Sequence, residues 1–188
     1  MERRELLKMI ALATGSAFIG GELLLSGCTN TPAIGGATFT ETDISFLDEV
    51  GETILPKTTS PGAKEAAVGT FMTVMVNDCY TKDDQTIFHE GIKKVDDACK
   101  KTHNTSFLKA SPEQRTSLLV ALDKEAKENQ KTKTKEEPNH YFTMMKQLTM
   151  LGFFTSKPGA TQALRHIAVP GKYDGNFPYK KGDKAWAE

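Results

Sequence analysis

The sequence predicts an all-α protein, a single orthogonal or bundle-like helical domain of about five to six helices, set behind a signal peptide. Three observations carry that prediction. After residue 40 the apolar residues recur at helical spacings of three and four. Helix-start signals stand in front of these runs, most clearly at Ser111-Pro112-Glu113-Gln114, and no stretch alternates apolar with polar residues for the length of a strand.

The first thirty residues follow a different pattern. Arg3 and Arg4 give a positive start, residues 9–19 a mostly apolar run, and Leu25-Ser26-Gly27-Cys28 a small-residue end, which are the parts of an export signal. Arg-Arg-Glu-Leu-Leu-Lys at 3–8 resembles the twin-arginine consensus, whose translocase carries folded cargo; the unfolded-chain route is the alternative. Leu25-Ser26-Gly27-Cys28 resembles a bacterial lipobox, in which the thiol is acylated and cleavage leaves Cys28 as the lipidated first residue. A spanning helix fits less well, because Glu22 and three glycines (15, 20 and 21) interrupt a run that a bilayer core would want about 20 apolar residues long. The expected organisation is a twin-arginine/lipoprotein signal over 1–27, a flexible tether over 28–39, a helical domain over 40–178 and an irregular tail over 179–188. The expected location is the cell envelope, on the periplasm-facing membrane surface through the lipid on Cys28.

The helices follow in order. Thr40 and Asp43 supply a cap and an acidic first turn, with Ile44, Leu47, Gly51 and Ile54 on one face before Pro56 stops the helix. Residues 57–62 form a loop ending in the Pro61-Gly62 turn. A second helix is expected over 64–80, with Val68, Phe71, Met72, Met75, Val76 and Cys79 inward, and a third over 83–101, burying Ile87, Phe88, Ile92, Val95 and Cys99. Ser111 opens the fourth, with Leu118, Leu119 and Leu122 inward, and its charged end over 125–138 is a solvated helix end and loop. The fifth starts near Pro138-Asn139 and carries Phe142, Met145, Leu148, Thr149 and Gly152 on one face. Ser156-Lys157-Pro158-Gly159 breaks it, a short helix over 160–167 follows, and the remainder is too rich in Gly, Pro and Lys to be regular.

Charge and chemistry narrow the function. The chain has 24 basic and 24 acidic residues, the signal removes three of each, and the balanced remainder offers no footprint for nucleic acid. Cys79 and Cys99 are expected as buried free thiols: near the ends of consecutive antiparallel helices they would stand on the order of 20 Å apart, too far for a disulfide. There is no Gly-rich nucleotide turn, no P-loop and no Cys-x-x-Cys-His, and the four histidines fall in no metal-ligand spacing. Catalytic, cofactor-binding and metal residues are all expected to be absent from this chain.

Several phrases, in order, resemble one family. They are Ile54-Leu55-Pro56 with Ser60-Pro61-Gly62-Ala63, Asn77-Asp78-Cys79-Tyr80, and Phe88-His89-Glu90-Gly91-Ile92 with Phe107. Leu148-Thr149-Met150-Leu151-Gly152-Phe153-Phe154-Thr155-Ser156 and Pro170-Gly171-Lys172-Tyr173-Asp174-Gly175 follow. In this order, over about residues 40–178, they resemble the gluconate 2-dehydrogenase subunit 3 family. The resemblance implies a small, non-catalytic subunit of a membrane-associated dehydrogenase. It implies a partner of the glucose-methanol-choline oxidoreductase type holding FAD, a cytochrome c subunit or quinone as electron acceptor, and a signal that exports a partner lacking one. The lipobox departs from the plain twin-arginine signals of that family.

The candidate partner interface comprises Gly152, Phe153 and Phe154 after the fifth helix and, in the tail, Tyr173 and Trp186. One of the two phenylalanine rings is expected in the core. Gly152 also reads as a helix C-terminal glycine, and the tail as either a partner arm or a disordered end. Two other classes share these features: a lipid-anchored helical binding module, marked by a roomy apolar pocket, and an independent envelope enzyme, marked by an ionisable cluster in one cleft.

Overall fold

Thr40 opens the first helix with a reciprocal cap. The Asp43 N–H donates to the Thr40 hydroxyl (3.2 Å) and the Thr40 N–H to the Asp43 carboxylate (2.9 Å), which satisfies two donors that the first helical turn leaves unpaired. The computed structural model describes residues 38–169 and 171–187. Among these, five α-helices form: α1 (Glu41–Ile54), α2 (Val68–Cys79), α3 (Lys82–His103), α4 (Pro112–Thr132) and α5 (Tyr141–Thr155). None is long and apolar enough to cross a membrane.

The inward stripe of α1 is wider than its periodicity suggests. Phe46 and Val50 are buried beside Leu47 and Gly51, while Ile44 and Ile54 are half-buried. The cause is packing on several sides, because α1 meets α2, α4, α5 and the 3₁₀ turn Phe107–Lys109, where the Phe46 and Phe107 rings lie 5.0 Å apart. Its Glu52 then reaches past the helix end to accept from the N–H groups of Lys57 (2.8 Å) and Lys64 (3.0 Å), folding the loop that contains Pro61 and Gly62 back onto α1.

The second helix begins four residues later than its apolar spacing suggests, at Val68. Ala67 is left-handed (φ 50°), so residues 64–67 form a turn that cannot continue into the helix. A carboxylate from the neighbouring helix replaces the missing local cap: Asp48 accepts from the Gly69 N–H at 2.8 Å, at the positive end of the α2 dipole. A Cβ on Gly69 would fall 2.6 Å from the Ile44 carbonyl oxygen, so only glycine permits this crossing of α1 and α2.

The third helix is capped by Thr81 and ends on left-handed Asn104, and its buried Gln85 donates to the carbonyls of Asn77 and Tyr80 (3.1 Å each), satisfying acceptors at the end of α2. The Ser111–Gln114 capping box starts α4 as the sequence indicates. The central element is α5, which touches each of the other four helices and buries all five residues of its expected stripe, Phe142, Met145, Leu148, Thr149 and Gly152. At the α3–α5 crossing a Cβ on Gly91 would lie 2.6 Å from the Tyr141 Cβ, which explains a glycine in mid-helix despite its helix cost.

Arg115, with a side chain only 14% exposed, binds three elements together. It donates to the carbonyls of Phe107 (3.0 Å) and Leu108 (2.7 Å) and pairs with Glu49, which Lys64 also contacts. Arg115→Ala is expected to cost about 2–4 kcal/mol in urea unfolding, since the Leu108 carbonyl loses its donor while the Phe107 carbonyl and Glu49 are left with only Ala110 and Lys64. Arg115→Lys should recover only part of that, because a point charge cannot serve three directions.

Two sequence expectations are corrected. The short helix expected over 160–167 lies earlier and ends sooner: residues 157–163 are helical, with a π-helical turn over Gly159–Ala163, and Arg165–His166 then pairs in parallel with Trp186–Ala187. The helix does not run on to 167, because the Arg165 and Ile167 N–H groups bond instead to the carbonyls of Ala185 (2.8 Å) and Ala187 (3.0 Å). Cys79 and Cys99 are both free, yet only Cys99 is buried; Cys79 is exposed at the last residue of α2.

Candidate partner-docking face

Helix α5 is apolar on nearly every side, and the bundle cannot cover it all. Gly152 faces inward, where a Cβ would stand 2.6 Å from the Phe71 ring of α2, so it is a close-approach residue within α5 rather than a terminal glycine. Phe153 is core at 3% exposed, and Phe154 is half-buried, its ring 5.1 Å from that of Phe153 in an edge-to-face pair. Of the Gly152-Phe153-Phe154 group only Phe154 therefore presents its own surface. Met150 and Leu151 are exposed beside it, and Val74 is exposed on α2. Sequence reasoning passed over Met150 and Leu151 because they fall off the inward stripe; a helix apolar all round was the available signal.

The tail carries the other two candidate interface residues. Tyr173 is 96% exposed and Trp186 47% exposed. Trp186 is held in place: the Arg165 guanidinium lies over its ring at 4.5 Å and over the Phe177 ring at 5.7 Å, and the two rings meet edge to face at 5.2 Å. Phe177 belongs to the aromatic tail that the sequence singles out, but Arg165 was not foreseen as a member of this group, since the pairing that assembles it joins residues about twenty positions apart. Tyr173, Phe177 and Trp186 line a recess of about 630 Å³ together with Ile167, Lys172 and Asp174.

A second recess, about 510 Å³, gathers Lys94, Glu125, Asn129, His140 and Tyr141 between α3, α4 and α5. This is the nearest approach to the ionisable cleft that would mark an enzyme. His140, however, caps α5: its Nδ1 accepts from the Phe142 N–H at 3.2 Å, so the neutral ring carries its proton on Nε2, 3.5 Å from Glu125. Burial pushes the Tyr141 phenol up to about 12, with the Glu125 charge adding to the shift, and it stays protonated. His140→Ala is expected to lower stability by about 1 kcal/mol in thermal or urea unfolding, and His140→Asn, which preserves a cap, by much less. Among the described residues no group of three or more His, Cys, Asp or Glu side chains converges as a metal site would require.

Arg3, Arg4 and Cys28, the export and lipidation residues read from the sequence, lie outside the described residues.

A family model described as Gluconate 2-dehydrogenase subunit 3 matches residues 41–171. No curated protein and no solved structure matches the chain. The match begins with the first residue of α1, includes α5 with Gly152, Phe153 and Phe154, and ends at Gly171, two residues before Tyr173.

Proposed function

The chain belongs to the gluconate 2-dehydrogenase subunit 3 family, and from that premise we propose that it is the accessory small subunit of an exported FAD-dependent dehydrogenase acting on gluconate or a related sugar. The match over residues 41–171 carries the reading. In this proposal the catalytic partner is a flavoprotein of the glucose-methanol-choline type, which holds the FAD and passes electrons to a cytochrome c or a quinone. The present chain contributes binding surface, an export signal and an anchor, and has no turnover of its own.

What supports this role is a division of labour within the chain. The body is a helical scaffold in which the little-exposed His140 and Arg115 are engaged in a cap and a clamp. Apolar side chains beyond the needs of its core are exposed at Met150 and Leu151 next to Phe154, and again along the tail. Large exposed apolar side chains on a helical scaffold suit a protein interface better than a reaction centre. Arg3 and Arg4 would send the assembled pair through the folded-cargo route, and lipid on Cys28 would hold it at the membrane.

Co-expression of the full chain with the flavoprotein, followed by affinity purification on a tag placed on this chain, tests the proposal. Flavin absorbance should elute with the tagged chain in a constant ratio across the peak. Elution of this chain free of flavin, with the flavoprotein folded and active elsewhere in the extract, would sink it.

A further inference from the structure

The segment that follows the helical body differs from it in charge and in surface. Over residues 164–188 the cations are Arg165, Lys172, Lys180, Lys181 and Lys184, against Asp174, Asp183 and Glu188, whereas residues 38–163 carry 16 cations and 18 carboxylates. The body is slightly acidic and the arm basic. Five of the ten large apolar side chains exposed among the described residues also fall in this arm: Val169, Tyr173, Phe177, Tyr179 and Trp186.

The arm is shaped before it meets anything. Its two ends are tied together by the parallel pairing of Arg165–His166 with Trp186–Ala187, and the Arg165, Phe177 and Trp186 stack fills the space just inside that tie. The Lys184 ammonium contacts the Gln162 carbonyl and so fastens the returning strand to the body. Both carboxylates inside the loop are occupied by its own turns: Asp174 accepts from the Asn176 N–H at 3.1 Å and Asp183 from the Lys180 N–H at 2.9 Å. Lys172, Lys180 and Lys181 remain exposed.

We propose that residues 165–187 form a preassembled cationic-aromatic arm that docks onto an acidic, partly apolar face of the dehydrogenase partner, with Lys172 and Tyr173 as its leading contacts. The inference rests on the subunit reading above and adds to it the place and chemistry of the contact. The charge separation sets the orientation: an acidic partner face is drawn to the arm and weakly repelled by the body. The recess between Tyr173, Phe177 and Trp186, about 630 Å³, favours a protein over a membrane, since partner side chains can fill a concavity that a flat lipid surface would leave open. Closure of the loop at both ends lowers the ordering cost that an unstructured tail would bear on binding.

The test uses the full chain and the flavoprotein, with the dissociation constant measured at several salt concentrations. Wild-type affinity should fall steeply with salt, by about tenfold or more between ~0.05 M and ~0.5 M. The combined variant Lys172→Glu, Lys180→Glu, Lys181→Glu should bind at least about tenfold more weakly at low salt and lose most of the salt dependence. Tyr173→Ser should lose at least about tenfold at every salt concentration. These side chains are exposed, so the thermal unfolding of the helical body should be unchanged and serves as the folding control. Unaltered affinity in both variants would overturn the arm while leaving the subunit reading standing. Absence of any complex with the wild-type chain would overturn both. Loss of binding to phosphatidylglycerol vesicles by the charge variant, with flavoprotein affinity intact, would overturn the protein partner in favour of the membrane.

Discussion

Replacing Arg3 and Arg4 together by lysine is expected to hold the flavoprotein in the cytoplasm although its own sequence is untouched. Lysine keeps the positive charge of the signal but lacks the planar guanidinium fork, and a receptor that reads paired arginines distinguishes the two where a simple charge requirement would not. On the escort proposal the two subunits assemble before export, so a defect in this chain's signal becomes a defect in its partner's location. Envelope dehydrogenase activity should drop to background, while cytoplasmic extract keeps folded flavoprotein with bound flavin. Fractionation followed by an activity stain with an artificial electron acceptor reads both. Normal envelope activity in the double-lysine variant would show that the signal serves this chain alone or that export uses the unfolded-chain route.

The second large effect separates the neighbours Phe153 and Phe154. Phe153 is core at 3% exposed, so Phe153→Ala leaves a ring-sized cavity and should lower stability by about 3–5 kcal/mol, measured as a shift in the urea midpoint at unchanged slope. Phe154 is half-buried at the edge of the exposed Met150 and Leu151 group. Phe154→Ala should cost the isolated chain clearly less and should instead weaken its complex with the flavoprotein. A large stability loss from Phe154→Ala with no change in complex formation would remove the α5 end from the docking face.

How far the fold could be read from the residues depended on whether its determinants were local. The Thr40–Asp43 and Ser111–Gln114 caps are encoded within four residues, and the α5 stripe within eleven, and all three form as read. The start of α2 was not legible, because residues 64–67 are compatible with helix on local propensity. Its true boundary is set by left-handed Ala67 and by an Asp48 cap arriving from 21 positions away. Cys79 was expected inward by spacing alone, but α2 outruns its packing there and leaves the thiol exposed.

The candidate site divides the same way. Apolar excess on α5 can be counted from the sequence, yet which ring is core and which is surface is decided by packing between helices, which buries Phe153 and leaves Phe154 half-buried. In the tail, Tyr173 and Trp186 stood out by composition. The pairing of Arg165–His166 with Trp186–Ala187, only two residues long, is too short to leave any periodic trace, and the Arg165 stack it assembles could not be anticipated.

The central claim, that this chain escorts and anchors a dehydrogenase without turning over substrate, is tested most directly by one comparison. Gluconate oxidation with an artificial electron acceptor would be measured in the membrane fractions of cells making the flavoprotein alone, this chain alone, or both. The account predicts activity only where both are made. Activity from this chain alone, or the same membrane-bound activity from the flavoprotein in its absence, would contradict it.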